Sequence, residues 1–273
     1  MNELYCVLHK DPGYSRERAA DFLAGEYGIL RPEAEAAVRK SPGFLLENAS
    51  LNKASAFNLR ASACGFETVL IANGDLKTPP PAVAVSKIEL KTEGFYYVSG
   101  SVKEHVSFET VRRITACAFD VEVPSRNEPA IMEAALIRSL RAGYFPLAAA
   151  GGGKGGEERT PAPPAPIKET VFLADILLEG TPPVRLRVPC DEQDYSGLGP
   201  KKTLSSFDNF RTLLDELSAL AFGAGRNPFL EAFLKKEPLG RLKSPSPEAY
   251  ERELAWLTTV LDHPRSEGTQ SGK

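Results

Sequence analysis

Gly151–Gly156 reads GGGKGG, the nearest approach in this chain to a phosphate-binding loop. A working loop of that kind has Gly, four residues, then Gly-Lys and a Ser or Thr, set between a strand and a helix. Here Lys154 is followed by Gly155, then by acidic and proline-rich sequence, so no helix start is on hand to receive a phosphate. The stretch reads as a linker. The three histidines are His9, His105 and His263. None stands at metal-ligand spacing from a second His or a Cys, and they read as packing or surface groups. Asp191, Glu192 and Asp194 cluster, but the further spaced oxygens and distal Glu of a calcium loop are missing, so they read as a solvated turn. The four cysteines, Cys6, Cys64, Cys117 and Cys190, lie far apart without a CxxC. They read as small apolar core residues in a reducing compartment, with two disulfides as the minority alternative. No catalytic, cofactor-binding or metal-binding residue is assigned, and no cofactor is expected.

Charge narrows the partners. The formal net charge is -3 over 273 residues. A general nucleic-acid binder needs a concentrated basic face to neutralise phosphates, so the charge argues against that class and leaves room for a local patch alone. Lys201, Lys202, Arg211, Arg226, Lys235, Lys236, Arg241 and Lys243 make the C-terminal part locally basic. They read as a solvated face; the sharper alternative is contact with an acidic partner or a membrane surface. The N-terminus lacks a basic segment followed by a long apolar one, and no apolar run reaches the length of a membrane span. The expected compartment is the cytoplasm.

The elements follow from periodicity. Leu4–His9 is an apolar run with strand propensity. Helical spacing begins at Ser15 and closes between Gly25 and Gly28; a second helix starts at Arg31-Pro32-Glu33 and stops at Ser41-Pro42-Gly43. Phe44–Leu46 is a short strand. Asn48–Asn52 is a turn in which Ser50 caps a third helix, with Ala54, Phe57, Leu59 and Ala61 as its periodic residues. Phe66–Ile71 is the next strand. The first 73 residues thus read β-α-α-β-α-β.

This order resembles the C-terminal domain of the ribosomal stalk protein and the related fold of the Clp-protease adaptor. The matching residues are Ser41-Pro42-Gly43, Asn48–Ser50 opening a helix, Ala56, and Gly65-Phe66-Glu67 before the last strand. The resemblance implies a small α+β domain that receives a protein partner on a helix face. The lysine- and glycine-rich helix start that the stalk domain presents to translation factors is replaced here by Gly28-Ile29-Leu30-Arg31-Pro32.

Residues 74–82 read as a linker that carries three prolines, Pro79 to Pro81. Beyond it Val83–Val85 and Ile88–Leu90 suggest one strand, and Gly94–Gly100, Val102–Phe108 and Ile114–Val123 continue a strand-rich stretch. Glu128–Arg141 has helical spacing. Ala148–Lys168 is Gly-, Ala- and Pro-rich and reads as a flexible excursion, placed broadly at residues 125–168. Thr170–Leu178 is strongly apolar. Val184–Val188 (VRLRV) alternates apolar and basic, the pattern of a half-exposed antiparallel strand. Ser205–Phe222 is an amphipathic helix; Asn227–Leu234 is short and apolar; Pro247–Leu261 is a last amphipathic helix carrying the single tryptophan, Trp256.

The fold class expected is α+β: a small module over residues 1–73, then an antiparallel β-rich domain over 83–222 closed by Ser205–Phe222, then a helical C-terminal extension over 223–273. The element order of 83–222 resembles a pleckstrin-homology-like barrel. The function expected is that of a non-enzymatic adaptor with a protein partner. The alternatives are a peripheral membrane or anionic-ligand module and an enzyme whose site is not visible in sequence.

Overall fold

The computed structural model describes residues 3–123 and 167–262. The helix expected over Glu128–Arg141, the GGGKGG stretch and His263 lie outside the described residues. The chain is α+β and divides into two units, Met1–Pro79 with Ser244–Lys273 and Pro80–Lys243. The boundary at Pro79 and Pro80 falls inside the segment read as a linker.

The first unit begins with β1 (Tyr5–His9), α1 (Arg16–Tyr27), α2 (Arg31–Lys40), β2 (Phe44–Ala49), α3 (Leu51–Ala63) and β3 (Thr68–Ala72), the order read from sequence. Ser15 accepts from the Arg18 N–H to start α1, and Gly28, at φ 63, closes it in the left-handed conformation. Ser50 makes no side-chain cap; the backbone alone opens α3. The strands form an antiparallel sheet in the order β2-β1-β3. Apolar residues on β1 and β2 bury against Ala19, Ala20 and Leu23 of α1 and Ala54, Phe57 and Ala61 of α3. Leu59 is not part of that inward face: it is 71% exposed.

In the second unit β4 (Ala82–Ala84), β5 (Lys87–Leu90), β6 (Gly94–Ser99), β7 (Val102–Ser107), β8 (Val111–Val123), β9 (Ile167–Leu178) and β10 (Val184–Pro189) precede α4 (Ser206–Leu220), β11 (Gly225–Arg226) and α5 (Pro228–Leu234). The expected single strand over Val83–Leu90 is two strands in two sheets. The Val85 N–H donates to Arg187 O and the Ser86 N–H to Val98 O, both at 2.8 Å, so the chain changes sheets between those residues. The antiparallel β-rich domain read from sequence is built from two sheets, with short parallel pairs added at both edges of the larger. One sheet has the order β11-β8-β9-β10-β4, with β4 parallel to β10 and β11 parallel to β8; the other, β5-β6-β7, is antiparallel. One core joins them. Ile114, Ile176, Leu186 and Val188 from the larger sheet meet Ile88 and Phe95 from the smaller, under Phe210, Leu213, Leu214 and Leu217 of α4. Ser205 accepts from the Asp208 N–H at 3.1 Å to start α4. Asn227 caps α5 and hydrogen-bonds the main chain of Ala116 in both senses, at 3.1 and 2.9 Å, which ties α5 to β8.

The segment expected as a separate C-terminal extension is shared between the units. Residues through Lys243 stay with the second, while α6 (Pro247–Asp262) completes the first. The reason is its apolar face: Trp256 and Leu257 sit in the same core as β1, β2 and α3. Gly43 has φ +80, and a Cβ there would stand 1.9 Å from the Trp256 ring. Glycine is therefore required twice, for backbone conformation and for close approach.

Candidate functional site

The outer surface of the first unit carries apolar groups that its fold does not use. Leu30 occupies the N-cap of α2. Ser, Thr, Asp or Asn is favoured there because a side-chain oxygen can accept a free helix N–H; leucine has none to offer. The Leu30 N–H is met by Glu33 Oε2 at 3.2 Å, while its side chain stays 70% exposed. Tyr27, in the last turn of α1, stacks on Phe57 of α3 with centroids 6.1 Å apart, and Glu26 pairs with Arg60. These contacts lay the end of α1 along α3. Leu59, two positions from Phe57, projects from another side of α3 and is exposed. The signal in sequence was a leucine at a capping position.

His9 ends β1, 6% exposed. Its Nδ1 accepts the Asp11 N–H at 3.0 Å, and its ring stacks on Tyr14 at 4.6 Å. Burial pushes its pKa below 6.5, against the pull of Asp11 and Glu67, with Arg18 adding to the depression. The folded state thus holds the neutral ring, while the unfolded chain takes up a proton near 6.5. Between the two pKa values the unfolded state binds more protons, so stability falls as pH is lowered through 6.5. His9→Asn keeps an acceptor and removes the titration. On going from about pH 7.5 to about pH 5.5 the wild-type thermal midpoint should drop more than that of His9→Asn, the excess bounded by about 1.4 kcal/mol per pH unit. Parallel pH profiles would refute this.

The larger sheet of the second unit buries an ionic cluster. Register places Asp175 of β9 between Thr115 of β8 and Arg187 of β10. Arg187 grips the carboxylate with two bonds of 2.9 Å, and Arg185 Nε lies 3.4 Å from Oδ1. Both arginines are 3% exposed, and Asp175 is fully buried. The half-exposed strand expected over Val184–Val188 is corrected by this: β10 is interior, between β9 and β4, and is buried on both faces.

Among the described residues the other candidates lie apart from one another. Asp194 accepts from the Ser196 N–H and hydroxyl and lies 3.7 Å from Lys87, a turn-forming role. His105 lies on β7 beside Tyr96, ring centroids 4.9 Å apart. Cys6, Cys117 and Cys190 are buried and Cys64 is exposed, all as free thiols. Among the described residues no group of His, Cys, Asp and Glu is placed to hold a metal ion. Hydrogen bonds from Lys103 and Lys87 hold the Glu89 carboxyl down to about 2. It is locked as an anion, unlike a general acid or base, which trades its proton near working pH. Several C-terminal cations are engaged: Lys201 with Glu216 and Lys243 with Asp120, each at 2.7 Å, while Arg211 lies over the rings of Phe207 and Phe233. Among the described residues no helix is long and apolar enough to cross a membrane. Compared with protein-family models, characterised proteins and solved structures, the chain matches none of them.

Proposed function

We propose that the chain is a non-enzymatic adaptor of the cytoplasm and that it receives a protein partner on the outer helix surface of its first unit, around Leu30 and Leu59. The observation that supports this reading is the exposure of two leucines, 70% and 71%, at positions where the fold employs neither side chain. An apolar group placed at a helix cap forgoes a cap worth about 1 kcal/mol, a local departure of the kind expected where function constrains sequence. The β-α-α-β-α-β order supports the resemblance to the stalk C-terminal domain and the Clp adaptor, and does not specify the partner. The rival reading, an anionic or membrane surface met by the basic C-terminal part, has less to draw on, because Lys201 and Lys243 already face carboxylates.

The test uses point variants of the full chain, since removal of the first residues would strip α6 of its core. Leu30→Glu with Leu59→Glu should leave the thermal midpoint unchanged and weaken capture of a cellular partner by about tenfold or more. The control is Leu204→Glu with Phe222→Glu, which alters exposed apolar groups of the second unit. Capture that survives the first pair, or is lost equally with the second, would sink the reading.

A further inference from the structure

The sheet of the first unit has an open edge at β3. Lys10 N–H donates to Glu67 O and Asn73 N–H to Leu4 O, each at 2.8 Å. In an antiparallel ladder such bonded pairs alternate with non-bonded ones. The register Cys6↔Ile71 and Leu8↔Val69 then turns the main-chain groups of Val69 and Ile71 toward β1. The N–H and C=O of Thr68, Leu70 and Ala72 point the other way. Among the described residues no main-chain partner meets the N–H and C=O of Thr68 and Leu70 or the N–H of Ala72, while the Ala72 C=O opens the short 3-10 turn Asn73–Asp75.

Natural sheets guard such edges with charge, proline or a covering element. The edge strand β7 of the second unit does so with Lys103, Glu104 and His105. β3 reads Thr-Val-Leu-Ile-Ala, without a charge or a proline, and its side chains are half-buried to buried. The other edge of the same sheet, β2, carries Glu47, which pairs with Arg252 of α6.

We propose that β3 pairs with β3 of a second copy of this chain, antiparallel, about a two-fold axis at Leu70. The self-complementarity is what commits the site to this occupant. With the axis at Leu70, each Leu70 exchanges both main-chain bonds with its mate, and Thr68 does the same with the second copy's Ala72. Every outward-facing group on the edge is then satisfied, because all three residues share one parity. Val69 stands beside the second copy's Ile71, a β-branched pair of the sort that stabilises cross-strand contacts. Glu67 falls opposite the second copy's Asn73, so no like charges meet. An isologous contact of this form closes on itself and stops at two copies. The inference does not depend on Leu30 or Leu59.

Sedimentation equilibrium of the full chain, from low micromolar to near-millimolar concentration, is the experiment. The apparent mass should rise to twice the monomer mass. Hydrogen exchange over the same series should show protection of the peptide spanning 66–73 growing with concentration. Leu70→Pro, which deletes the central outward N–H, should remain monomeric. A wild-type chain that stays monomeric throughout overturns the proposal. So does a dimer that forms with no added protection at 66–73, a readout that holds even if Leu70→Pro fails to fold.

Discussion

Replacing Trp256 by alanine is expected to remove about 3–5 kcal/mol from the stability of the first unit. The indole is 1% exposed and lies edge-on to Tyr14 with centroids 5.5 Å apart. Its Nε1–H donates to the His9 carbonyl at 2.6 Å. Truncation opens a cavity under β1 and β2 and leaves that carbonyl without its donor, two costs that add. Trp256→Phe retains most of the volume but not the bond, and should lose about 1–3 kcal/mol. Gly43→Ala attacks the same contact from the other side, since a Cβ would stand 1.9 Å from the ring on a backbone at φ +80. Tyr14 adds to the arrangement by accepting the Gly43 N–H at 2.9 Å. A chain ending at Lys243 loses all of these contacts together, and with them the Arg16–Glu253 pair. The measurement is urea unfolding followed by far-ultraviolet circular dichroism, with hydrogen exchange over residues 5–9 and 44–49 to assign the transition to the first unit. In Trp256→Ala those segments should exchange early, while 171–178 keeps wild-type protection. Unchanged protection of β1 and β2 would refute the role given to α6.

That role also marks the limit of what the sequence disclosed. The elements from Tyr5 to Ala72 were legible because each rests on local signals: helical spacing in α1 and α3, Pro32 in the first turn of α2, Gly28 and Gly65 at positive φ after helices. The amphipathic face of α6 was equally legible, but amphipathicity says only that a helix packs, not against what. Trp256 meets His9 across 247 positions of sequence, and no local rule reaches that far. The parallel pairing of β4 with β10 is hidden for the same reason. At Val184–Val188 a local rule misled. Alternating basic and apolar residues usually mark a solvated face, yet here the basic face is interior. The clue lay in Thr170–Leu178, where Asp175 is the one charged residue in an apolar run. A lone carboxylate in a buried strand requires a cation, and Arg187, twelve positions on, supplies it. At the candidate interaction surface, Leu30 was readable as the residue opposite the expectation for a cap. The exposure of Leu59 was not, since its apolar character alone placed it inward.

Asp175 is where the second unit should prove most sensitive. Asp175→Ala takes away the carboxylate that Arg187 holds in two bonds and Arg185 approaches at 3.4 Å, leaving both guanidinium groups in an interior position 3% exposed to water. Breaking one side of a buried ion pair costs about 3–5 kcal/mol, mostly through the charge left behind. Asp175→Asn preserves shape and one acceptor while deleting the charge, so its loss should be intermediate. The decisive variant is Asp175→Leu with Arg187→Met. Apolar groups of similar size can replace a buried pair at little cost, so this double change should recover much of what Asp175→Ala loses. The readout is the urea midpoint by circular dichroism, with hydrogen exchange at 111–118 and 171–178 to confirm that β8 and β9 are the strands that loosen. Trp256 fluorescence, the only indole signal, reports the first unit and should hold its own midpoint. If Asp175→Ala falls within about 1 kcal/mol of wild type, the cluster is not what fixes β10 in the sheet interior. If the double variant is as damaged as the single one, the pairing geometry itself, rather than the isolated charge, specifies the register of β9 and β10.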